Sequence, residues 1–567
     1  MECKWQLKPS PDENLVTQLC TEIYHSEKPA QRAVIQLLLQ RGIYTYSQAK
    51  TFFNPSLDDL HDPFLMKDMD KAVKRILQAI DNQENILIYG DYDVDGTTAV
   101  SLFYLFLSEF YQNVTYYIPD RYKEGYGVSY QGIDYANDNA ISLIITLDCG
   151  IKAVEKVEYA KKIGIDVIIC DHHTPSDELP QAVAILNPKQ TDCTYPYDEL
   201  CGCGIGFKLA QAINLVFERP KEAVFKYLDL VAIAIAADIV PVTGENRILL
   251  HFGLQFINKN PSFGVEKLLQ SVKKPYTTTD LVFIIAPRIN AAGRMAHANC
   301  AVELLTQKDS KEIIIKANEI EILNAKRKRI DEEITQEALE QIIENQEENR
   351  NTTVVYHPLW HKGVIGIVAS RLIETYYRPT LVFTENGDKL AASARSVSGF
   401  NIYNALEACQ EHLLQFGGHK YAAGLTLAKE KYEIFKKTFE NIVSQTMDKE
   451  LLIPKIMIDI EINLEDISSV FYQTLERFSP FGPQNMTPVF LSKKVIAKEF
   501  RAIGDGTHLR VVLTNPEKTV QFVGIGFGLA EKINILKTGK LLEMVYQIEE
   551  NTWNGITNIQ LKIKDIR

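Results

Sequence analysis

The chain has 567 residues and a formal net charge of −12 at pH 7, with 46% hydrophobic and 24% charged residues. This composition is typical of globular domains with buried cores, and it excludes an extended disordered chain. The length predicts about three to five domains. The acidic balance counts against a uniformly basic nucleic-acid-binding surface, although local basic patches and a carboxylate-rich cation site are compatible with it.

The nine cysteines are irregularly spaced, which excludes a regular disulfide framework. Cys193, Cys201 and Cys203 lie close together, but they lack the CxxC pair that a zinc site usually has. The first residues contain no apolar core of a signal peptide, and no apolar run approaches about 18 residues. We therefore expect a soluble, cytoplasmic protein without contact to a membrane.

From the N-terminus, residues 1–50 predict a short, mostly helical lead-in. From about residue 70 to 250, apolar strand-like runs alternate with helical stretches. The strand-like runs are ENILIYG, ISLIITLD and IDVIICD, and the helical ones TTAVSLFYLFLSEF and IKAVEKVEYAKKIG. This alternation predicts βαβ units and a parallel sheet.

Residues 309–347 contain neither glycine nor proline and show helical periodicity, which predicts one or two long, exposed connecting helices. A second α/β segment runs from TTVVYHP to about residue 445, with a hairpin around Asn386-Gly387. After a linker at LLIPK, residues 455–567 contain five or six short strand-like runs, which predict a small barrel or sandwich.

The strongest chemical signal is YGDYDVDGTTA, where Asp91, Asp93 and Asp95 follow a predicted strand directly. Ligands of open parallel sheets bind beyond the carboxyl ends of the strands, and the helix that follows points its N-terminus at an anionic ligand there. The DxDxDG spacing also occurs in calcium-binding EF-hands, which require a glutamate at the twelfth position. Leu102 occupies that position, so the EF-hand is excluded.

Three other apolar runs end in potential metal ligands. Asp148 follows ISLIITL, Asp171-His172-His173 follows IDVIIC, and Asp238 ends VAIAIAAD. One aspartate in such a place is usually a turn residue or a helix cap. Four such ends together instead predict a centre for Mn²⁺ or Mg²⁺, ions that bind carboxylates and imidazole and serve in pairs in phosphoryl transfer.

The glycines of CGCGIGFKLAQAI precede a predicted helix. Their GxGxG spacing and turn-like flank do not match the GxGxxG fingerprint of a dinucleotide site. Close helix packing is therefore the preferred interpretation of Gly202, Gly204 and Gly206.

The chain resembles the RecJ family of the DHH phosphoesterase superfamily over residues 35–567. The resemblance rests on motifs in a fixed order: YGDYDVDG, YIPDRYKEGYG, TLDCG, DHH, IAADIVP, PRINAAGRM, WHKGVIGIVASRL, SARS and FGGHKYAAG. It implies an α/β protein with a parallel-sheet DHH domain, a helical connector, an α/β DHHA1 domain and a small all-β OB-fold-like domain. We assign the lead-in and these domains to residues 1–50, 51–308, 309–350, 351–450 and 455–567.

The resemblance also implies roles for individual residues. It gives the metal ligands as Asp93, Asp95, Asp148, His172 and Asp238, with Asp91 and His173 in or beside the shell, and it counts His173 among the catalytic residues. Two ions, Mn²⁺ or Mg²⁺, are expected.

A pocket for a 5′ phosphate is implied as well, and arginine suits it because its fork binds phosphate oxygens in pairs. The residues implied to bind substrate are Arg121, Ser393 and Arg395 in the pocket, Arg288, Arg294, Gly417, Gly418 and His419 along the cleft, and Tyr126 stacking on a base. Without the resemblance, an arginine is commonly a solvated charge, the Gly417-Gly418 pair a tight turn and Tyr126 a core residue.

The activity implied is 5′→3′ exonuclease hydrolysis of single-stranded DNA by a two-metal-ion mechanism, in DNA repair and recombination. A monomer is expected, with single-strand-binding protein and a DNA helicase as partners. One alternative is a DHH enzyme for oligoribonucleotides, pAp or cyclic dinucleotides, and another is an inactive nucleic-acid-binding scaffold. The β-rich tail and the complete acidic set favour the exonuclease.

Two features leave the DNA path open. Where the family usually has glutamine after LNAKRKR, this chain has Ile330, which puts one DNA contact in doubt. In KKVIAKEFR, the basic residues Lys493, Lys494, Lys498 and Arg501 either follow the DNA backbone or form a solvated strand face.

Overall fold

The computed structural model describes residues 3–553 and 555–567, apart from the side chain of Trp553. The lead-in is helical, as predicted, but it also contributes a strand that pairs in parallel with residues 455–458. Its elements are β1 (Lys4–Leu7), α1 (Glu13–Tyr24), α2 (Pro29–Leu39) and α3 (Tyr46–Phe53). Side-chain caps start two of these helices, because Asp12 and Thr45 accept hydrogen bonds from the first free N–H groups of α1 and α3.

The first lobe, residues 69–306, is built on a parallel sheet in the order β3-β2-β4-β5-β6. The elements are α4 (Met69–Asp81), β2 (Asn85–Gly90), α5 (Val94–Leu107), β3 (Val114–Tyr117), α6 (Tyr130–Asp138), β4 (Ile141–Leu147), α7 (Val154–Lys162), β5 (Asp166–Cys170) and β6 (Ala184–Leu186). Helices cover both faces, which is why the central strands are almost entirely apolar. The predicted strands β2, β4 and β5 are neighbours, so their carboxyl ends meet.

The rest of the first lobe is helical, and the alternation of strands and helices therefore ends earlier than the predicted residue 250. The helices are α8 (Gly202–Val216), α9 (Glu222–Phe225), α10 (Leu228–Ala237), α11 (Gly244–Lys259), α12 (Phe263–Leu269), α13 (Thr278–Asp280), α14 (Ala286–Met295) and α15 (Asn299–Thr306). A π-helical turn, Leu281–Ile285, leads into α14. Both α8 and α10 pack against α5 and are almost wholly buried, which accounts for their apolar sequences.

One continuous helix, α16 (Ser310–Glu344), connects the lobes. The predicted exposure is wrong for its inner face. Ile313 and Ile320 pack into the core of the first lobe, whereas Ile334 and Ile342 pack against the second. Ile330 is partly buried at the same junction. The helix therefore fixes the spacing of the two lobes through contacts with both.

The second lobe, residues 353–446, contains a mixed sheet in the order β10-β11-β9-β8-β7. Its elements are β7 (Thr353–Tyr356), α17 (Ile365–Thr375), β8 (Thr380–Asn386), β9 (Lys389–Arg395), α18 (Ile402–Glu407), β10 (Gln415–His419), β11 (Ala422–Ala428) and α19 (Tyr432–Thr446). The predicted hairpin joins β8 and β9, with Gly387 at a positive φ of 66° in its two-residue turn.

The C-terminal region forms a closed barrel, as predicted, because β14 pairs with both β15 and β17. Its elements are β12 (Lys455–Ile458), β13 (Ile460–Glu461), α20 (Ser469–Glu476), β14 (Phe490–Ile503), β15 (His508–Thr514), β16 (Gln521–Gly526), α21 (Ile533–Leu536), β17 (Leu542–Trp553) and β18 (Ile556–Ile566). The lead-in shares one apolar core with the barrel. Among the described residues, no helix has the length and apolarity that a membrane span requires.

Candidate metal centre and phosphate pocket

The acidic residues predicted to act together lie in one cluster at the carboxyl edge of the first-lobe sheet. Three adjacent strands and one helix deliver them. Asp91, Asp93 and Asp95 follow β2, Asp148 follows β4, His172 and His173 follow β5, and Asp238 ends α10.

His172 lies at the centre of the cluster. Its Nε2 is 3.1 Å from Oδ1 of Asp148, 3.4 Å from Oδ2 of Asp238 and 3.8 Å from Oδ2 of Asp95. Two groups therefore place their ligand atoms within 4.8 Å of one another: Asp148 with His172 and His173, and Asp95 with His172 and Asp238. The groups overlap at His172, and because one imidazole nitrogen binds one ion, they mark a single continuous centre in which the carboxylates supply most of the ligand atoms.

The N-terminus of α8 holds Asp95. The backbone N–H groups of Gly202 and Cys203 donate to its two carboxylate oxygens over 2.6 and 2.7 Å. Gly202 also lies against Asp148, since a Cβ at residue 202 would lie 2.5 Å from the Cβ of Asp148. The prediction of close packing for this glycine is confirmed, but its hydrogen bond to a candidate ligand was missed.

The other aspartates that follow β2 are fixed by backbone donors as well. Asp93 caps α5 by accepting from the N–H of Gly96 over 3.0 Å, and Asp91 accepts from the N–H of Gly127 over 3.2 Å. Asp91 is fully buried. Because backbone groups set the direction of these side chains, the cluster is shaped before any ligand binds.

The buried carboxylate of Asp171 orients the ring of His173. Its Oδ1 lies 2.7 Å from Nδ1 of His173, and its Oδ2 accepts from the N–H of Ile151 over 2.9 Å. Burial works against the charge of each, but their mutual attraction outweighs it and moves the pKa of Asp171 down and that of His173 up. The hydroxyl of Tyr126 lies 3.0 Å from Nε2 of His173, and the ring is 53% exposed. The sequence named Asp171 as a potential ligand at this strand end but did not assign it this role of orienting His173.

The carboxylates destabilise one another in the absence of a cation. Burial, followed by repulsion from Asp93, raises the pKa of Asp95 to about 7 and that of Asp91 well above its usual range. Burial and the charge of Asp95 likewise raise the pKa values of Asp148 and Asp238. So many like charges in one buried place require positive charge nearby.

Unsatisfied polar atoms show that the cluster fits metal ions. Oδ2 of Asp91, Oδ1 of Asp148 and both ring nitrogens of His172 are buried and have no hydrogen-bond partner among the described residues. Burial lowers the pKa of His172 to about 3, so its ring is neutral and able to bind a metal. Buried groups of this kind are rare in proteins unless they bind an ion or water. Asp148 also has a positive φ of 60°, a conformation that is uncommon outside glycine and concentrates at functional sites.

Three arginines gather between the lobes, near the acidic cluster. Arg121 belongs to the first lobe and stacks on Tyr92 with 4.6 Å between guanidinium carbon and ring centre. Arg294 donates to the carbonyl of Gly363 in the second lobe over 2.8 Å, and Arg395 donates to Oγ of Ser393 over 3.1 Å.

The charges of these arginines are not neutralised. None of the three has a carboxylate within 4 Å among residues 3–553 and 555–567. Burial, then the charges of Arg121 and Arg395, lowers the pKa of Arg294 to about 10. Burial and the charge of Arg121 lower the pKa of Arg395 too. A partly buried group of like-charged guanidinium ions is a suitable site for an anion such as phosphate.

A cleft of about 510 Å³ runs beside the acidic cluster. Its lining includes Asp93, Tyr126 and His173 from the first lobe and Gly418 and His419 from the second. Gly418 has a positive φ of 148°, and a Cβ there would lie 2.4 Å from the carbonyl oxygen of Ala422. Gly418 lies within β10 and lines the cleft, whereas the turn of this hairpin follows at Lys420-Tyr421. Gly417 lies beside it in β10 and is exposed.

The structure does not bring Arg288 into the arginine group. Its Nε donates to Glu321 of α16 over 2.7 Å, and another of its nitrogens donates to the carbonyl of Ile284. The side chain therefore ties α14 to the connecting helix, and sequence position alone did not reveal this partner. The zinc alternative also receives no support, since the candidate metal groups of the described residues contain no cysteine.

The barrel carries a second groove, of about 920 Å³. Arg501 and Arg510 are directly opposite on β14 and β15, and both line it together with Tyr472 and Phe522. Two like charges opposite each other repel unless an anion lies between them. Of the four predicted basic residues only Arg501 lines the groove, whereas Lys493 is paired with Glu461 at 2.8 Å.

Comparisons with known proteins agree with this division of the chain. Residues 85–235 match the DHH family, N-terminal domain, residues 349–445 the DHHA1 domain, and residues 458–565 the RecJ OB domain. The chain is 38% identical to the single-stranded-DNA-specific exonuclease RecJ of Bacillus subtilis (strain 168), over 99% of this chain and 70% of that protein. It is 33% identical to the protein of the same description from Escherichia coli (strain K12), over 88% of this chain and 90% of that protein.

The fold is similar to solved structures as well. A crystal structure of RecJ in complex with Mn²⁺ from Thermus thermophilus matches the whole chain with a TM-score of 0.84 at 26% identity, and the match covers 79% of that protein. The same protein in complex with Mg²⁺ matches with a TM-score of 0.77 at 25% identity, over 100% of this chain and 78% of that one. The predicted fold class is confirmed, and the ions in these structures are those predicted here.

Gly202 gives a direct test of how the cluster is built. We expect Gly202→Ala to displace Asp148 and reduce metal-dependent hydrolysis by about 100-fold, because shifts near 1 Å have that effect in active sites. Gly204→Ala is the matched control, since a Cβ there makes only ordinary contacts of 3.4 Å or more in the same helix. Equal activity of the two variants in a nucleotide-release assay would contradict the role given to Gly202.

Proposed function

Because the chain belongs to the RecJ family of single-stranded-DNA-specific exonucleases, we propose that it removes nucleotides from the 5′ end of single-stranded DNA by metal-dependent hydrolysis. One observation carries the proposal: the unneutralised arginines Arg121, Arg294 and Arg395 lie beside the carboxylate cluster, at the junction of the lobes. The arginines supply recognition of a chain end, and the cluster supplies the hydrolytic site.

The two overlapping groups would together hold two Mn²⁺ or Mg²⁺ ions, with the Nε2 of His172 bound to only one of them. Asp148, His172 and His173 form one, and Asp95, His172 and Asp238 form the other, with Asp91 and Asp93 beside them. Divalent ions in such a centre lower the pKa of water and offset the negative charge of a phosphodiester. The unpartnered atoms of Asp148 and His172 support this assignment.

The protein groups around the ions orient the reacting atoms. The carboxylate of Asp171 is hydrogen-bonded to Nδ1 of His173, which leaves Nε2 facing the cluster and Tyr126. Carboxylates commonly orient metal-binding histidines in this way. Gly202 and Cys203 hold Asp95 from the other side. Tyr126 exposes half of its ring to the cleft, where it offers a surface on which a base can stack.

The direction of degradation follows from the place of the arginines. A terminal phosphate carries more negative charge than an internal diester, so cationic donors favour a phosphorylated end. Arg121 comes from one lobe, and Ser393 with Arg395 from the other, so the bound end lies between them. A 5′ phosphate held there would place the next phosphodiester over the acidic cluster, and nucleoside monophosphates would be released in the 5′→3′ direction.

The alternatives carry less support. The RecJ OB domain match over residues 458–565 favours a single-stranded-DNA exonuclease over other DHH phosphodiesterases. An inactive scaffold would not need to keep five aspartates in one buried cluster. The cytoplasmic location, the monomeric state, the roles in DNA repair and recombination, and the partnership with single-strand-binding protein and a helicase remain predictions.

The first test removes a metal ligand. We expect Asp148→Ala to lose at least about 1,000-fold in turnover, because the ions supply several kcal/mol of transition-state stabilisation. The melting temperature of its metal-free form should not fall, since the change removes a buried, repelled charge. Asp58→Ala, whose side chain is 81% exposed, is the control. Turnover of Asp148→Ala equal to that of the unaltered protein, with metal content measured, would contradict the assignment.

The second test concerns the chain end. For the unaltered protein we expect a higher kcat/KM with 5′-phosphorylated than with 5′-hydroxyl single strands. Arg395→Ala should lower the ratio of kcat/KM for 5′-phosphorylated over 5′-hydroxyl strands by about 10-fold or more, towards one. This is the effect expected when a pair of charge-assisted hydrogen bonds is lost. Arg329→Ala, in an exposed position of α16, should leave the ratio unchanged. Faster loss of a 3′ label, or equal degradation of blunt duplex DNA, would refute the proposed direction and substrate.

The third test concerns the barrel groove. We expect Arg510→Ala to weaken binding of long single strands and to reduce the slope of log affinity against log salt by about 0.7, the value for one phosphate contact with a single strand. Binding is measured by fluorescence polarisation in the Asp148→Ala background, which prevents cleavage. Lys493→Ala, which removes a lysine paired with Glu461, serves as the control. An unchanged slope in Arg510→Ala would exclude the groove from the DNA path.

A further inference from the structure

The segment that follows Asp238 is held by an unusual set of contacts. Asp238 ends α10, so no strand of the sheet fixes its backbone. The next residue, Ile239, has a positive φ of 61° and is 73% exposed. A β-branched residue rarely adopts that conformation unless its surroundings impose it. The constraint on this segment must therefore come from the residues that follow.

Those residues are fixed from two sides. Within the first lobe, the Tyr197 hydroxyl and the Asn246 side-chain amide donate to the carbonyl of Pro241 over 3.2 and 3.0 Å. From the C-terminal region, the carbonyl of Pro483 accepts the N–H of Val242 over 2.8 Å. Val242 is buried. The hydrogen bond to Pro483 lies only four residues after Asp238.

Gly482 allows this approach. A Cβ at residue 482 would lie 2.4 Å from Cγ2 of Val242, closer than any real contact between such atoms. Only glycine therefore lets the loop at residues 478–486, here called the clamp loop, reach the segment after Asp238 without displacing it.

The clamp loop is rigid in itself. Asn485 is 1% exposed, and its side-chain amide donates to the carbonyls of Phe478 and Pro480 over 2.8 and 2.9 Å. Arg41 of the lead-in binds Oδ1 of Asn485 over 2.7 Å. Because these hydrogen bonds fix the loop internally and against the lead-in, a shift of the loop would also shift the segment at Val242 that it contacts.

The first lobe also holds the base of the clamp loop. Arg247 of α11 is buried, lies 4.0 Å above the ring of Phe52, and donates to the carbonyls of Arg477 and Ser479 over 3.2 and 2.9 Å. It has no carboxylate partner among the described residues, and burial lowers its pKa to about 10. Opening the junction between α11 and the clamp loop would leave the buried guanidinium of Arg247 without these carbonyl partners, so the contact favours the closed arrangement.

We propose that the clamp loop is a positioning element for the metal centre: Gly482, Pro483 and Asn485 hold the segment at Val242 and thereby set Asp238 against His172. The C-terminal region then completes the hydrolytic site as well as binding DNA. This inference rests on the proposed function, because it takes Asp238 as a metal ligand. It predicts that a substitution in the clamp loop, which lies outside the first lobe, selectively weakens the binding of one of the two metal ions.

The test measures Mn²⁺ binding by the full chain, stripped of metal, using calorimetry and the electron paramagnetic resonance signal of free Mn²⁺. We expect two ions for the unaltered protein. In Gly482→Ala, one ion should bind about 10- to 100-fold more weakly, the usual effect of disturbing groups that orient ligands, while the other is retained. Adding Val242→Ala removes the clash and should restore the second ion. Gly526→Ala, which places a Cβ 2.8 Å from Cδ1 of Leu529 within the barrel and outside the clamp loop, is the matched control that keeps both ions.

The outcomes separate the possibilities. A lower melting temperature with both ions bound as in the unaltered protein would mean that the loop only packs the domains together, and it would overturn the inference. Failure of Val242→Ala to restore the weakened ion would do the same. If Gly482→Ala is insoluble, Asn485→Ser replaces it, because it releases the loop without adding a clash, and the same selective loss is expected. No Mn²⁺ binding by the unaltered protein would overturn the proposed function itself.

Discussion

Repulsion between buried carboxylates is the constraint on which the arrangement of the first lobe depends. Asp91, Asp95, Asp148 and Asp238 meet at the edge where the central strands end, and their charged forms are costly there. Helix N-termini and backbone N–H groups compensate part of the charge, and a pair of divalent ions would compensate the rest. The glycines at the start of α8 and the strained backbone of Asp148 both serve to bring the carboxylates close in spite of this repulsion.

An opposite constraint governs the junction of the lobes. There the charges are positive, and Arg121, Arg294 and Arg395 remain without acidic partners among the residues that the structure describes. The long helix α16 keeps this group beside the acidic cluster by packing against both lobes. A negatively charged chain end and a pair of metal ions would satisfy the two sets of charges together. The apolar contacts of α16 with both lobes therefore hold two groups of unbalanced charge side by side.

Much of this could be predicted from the sequence, because the signals are local. Each strand that leads into the acidic cluster is an apolar run, and a candidate ligand follows within two residues, as at Asp148 and His172. The missed features depend on residues far apart in the chain. Asp95 is 107 positions from Gly202, which holds it. The pairing of Arg510 with Arg501 depends on strand register, and the contact of Arg288 with Glu321 joins two helices, so neither is visible in the local sequence.

The shared core of the lead-in and the barrel has a consequence for synthesis on the ribosome. Helices α1–α3 emerge from the ribosome before the barrel strands that bury them, which follow about 400 residues later. At about 5–20 residues per second, translation leaves the apolar faces of these helices without their partner for roughly 20–80 s. Val16, Leu38 and Phe53 must be shielded during that interval by chaperones or by transient contacts. The lead-in is thus synthesised before the two lobes, but these can form their own cores before it docks on the barrel.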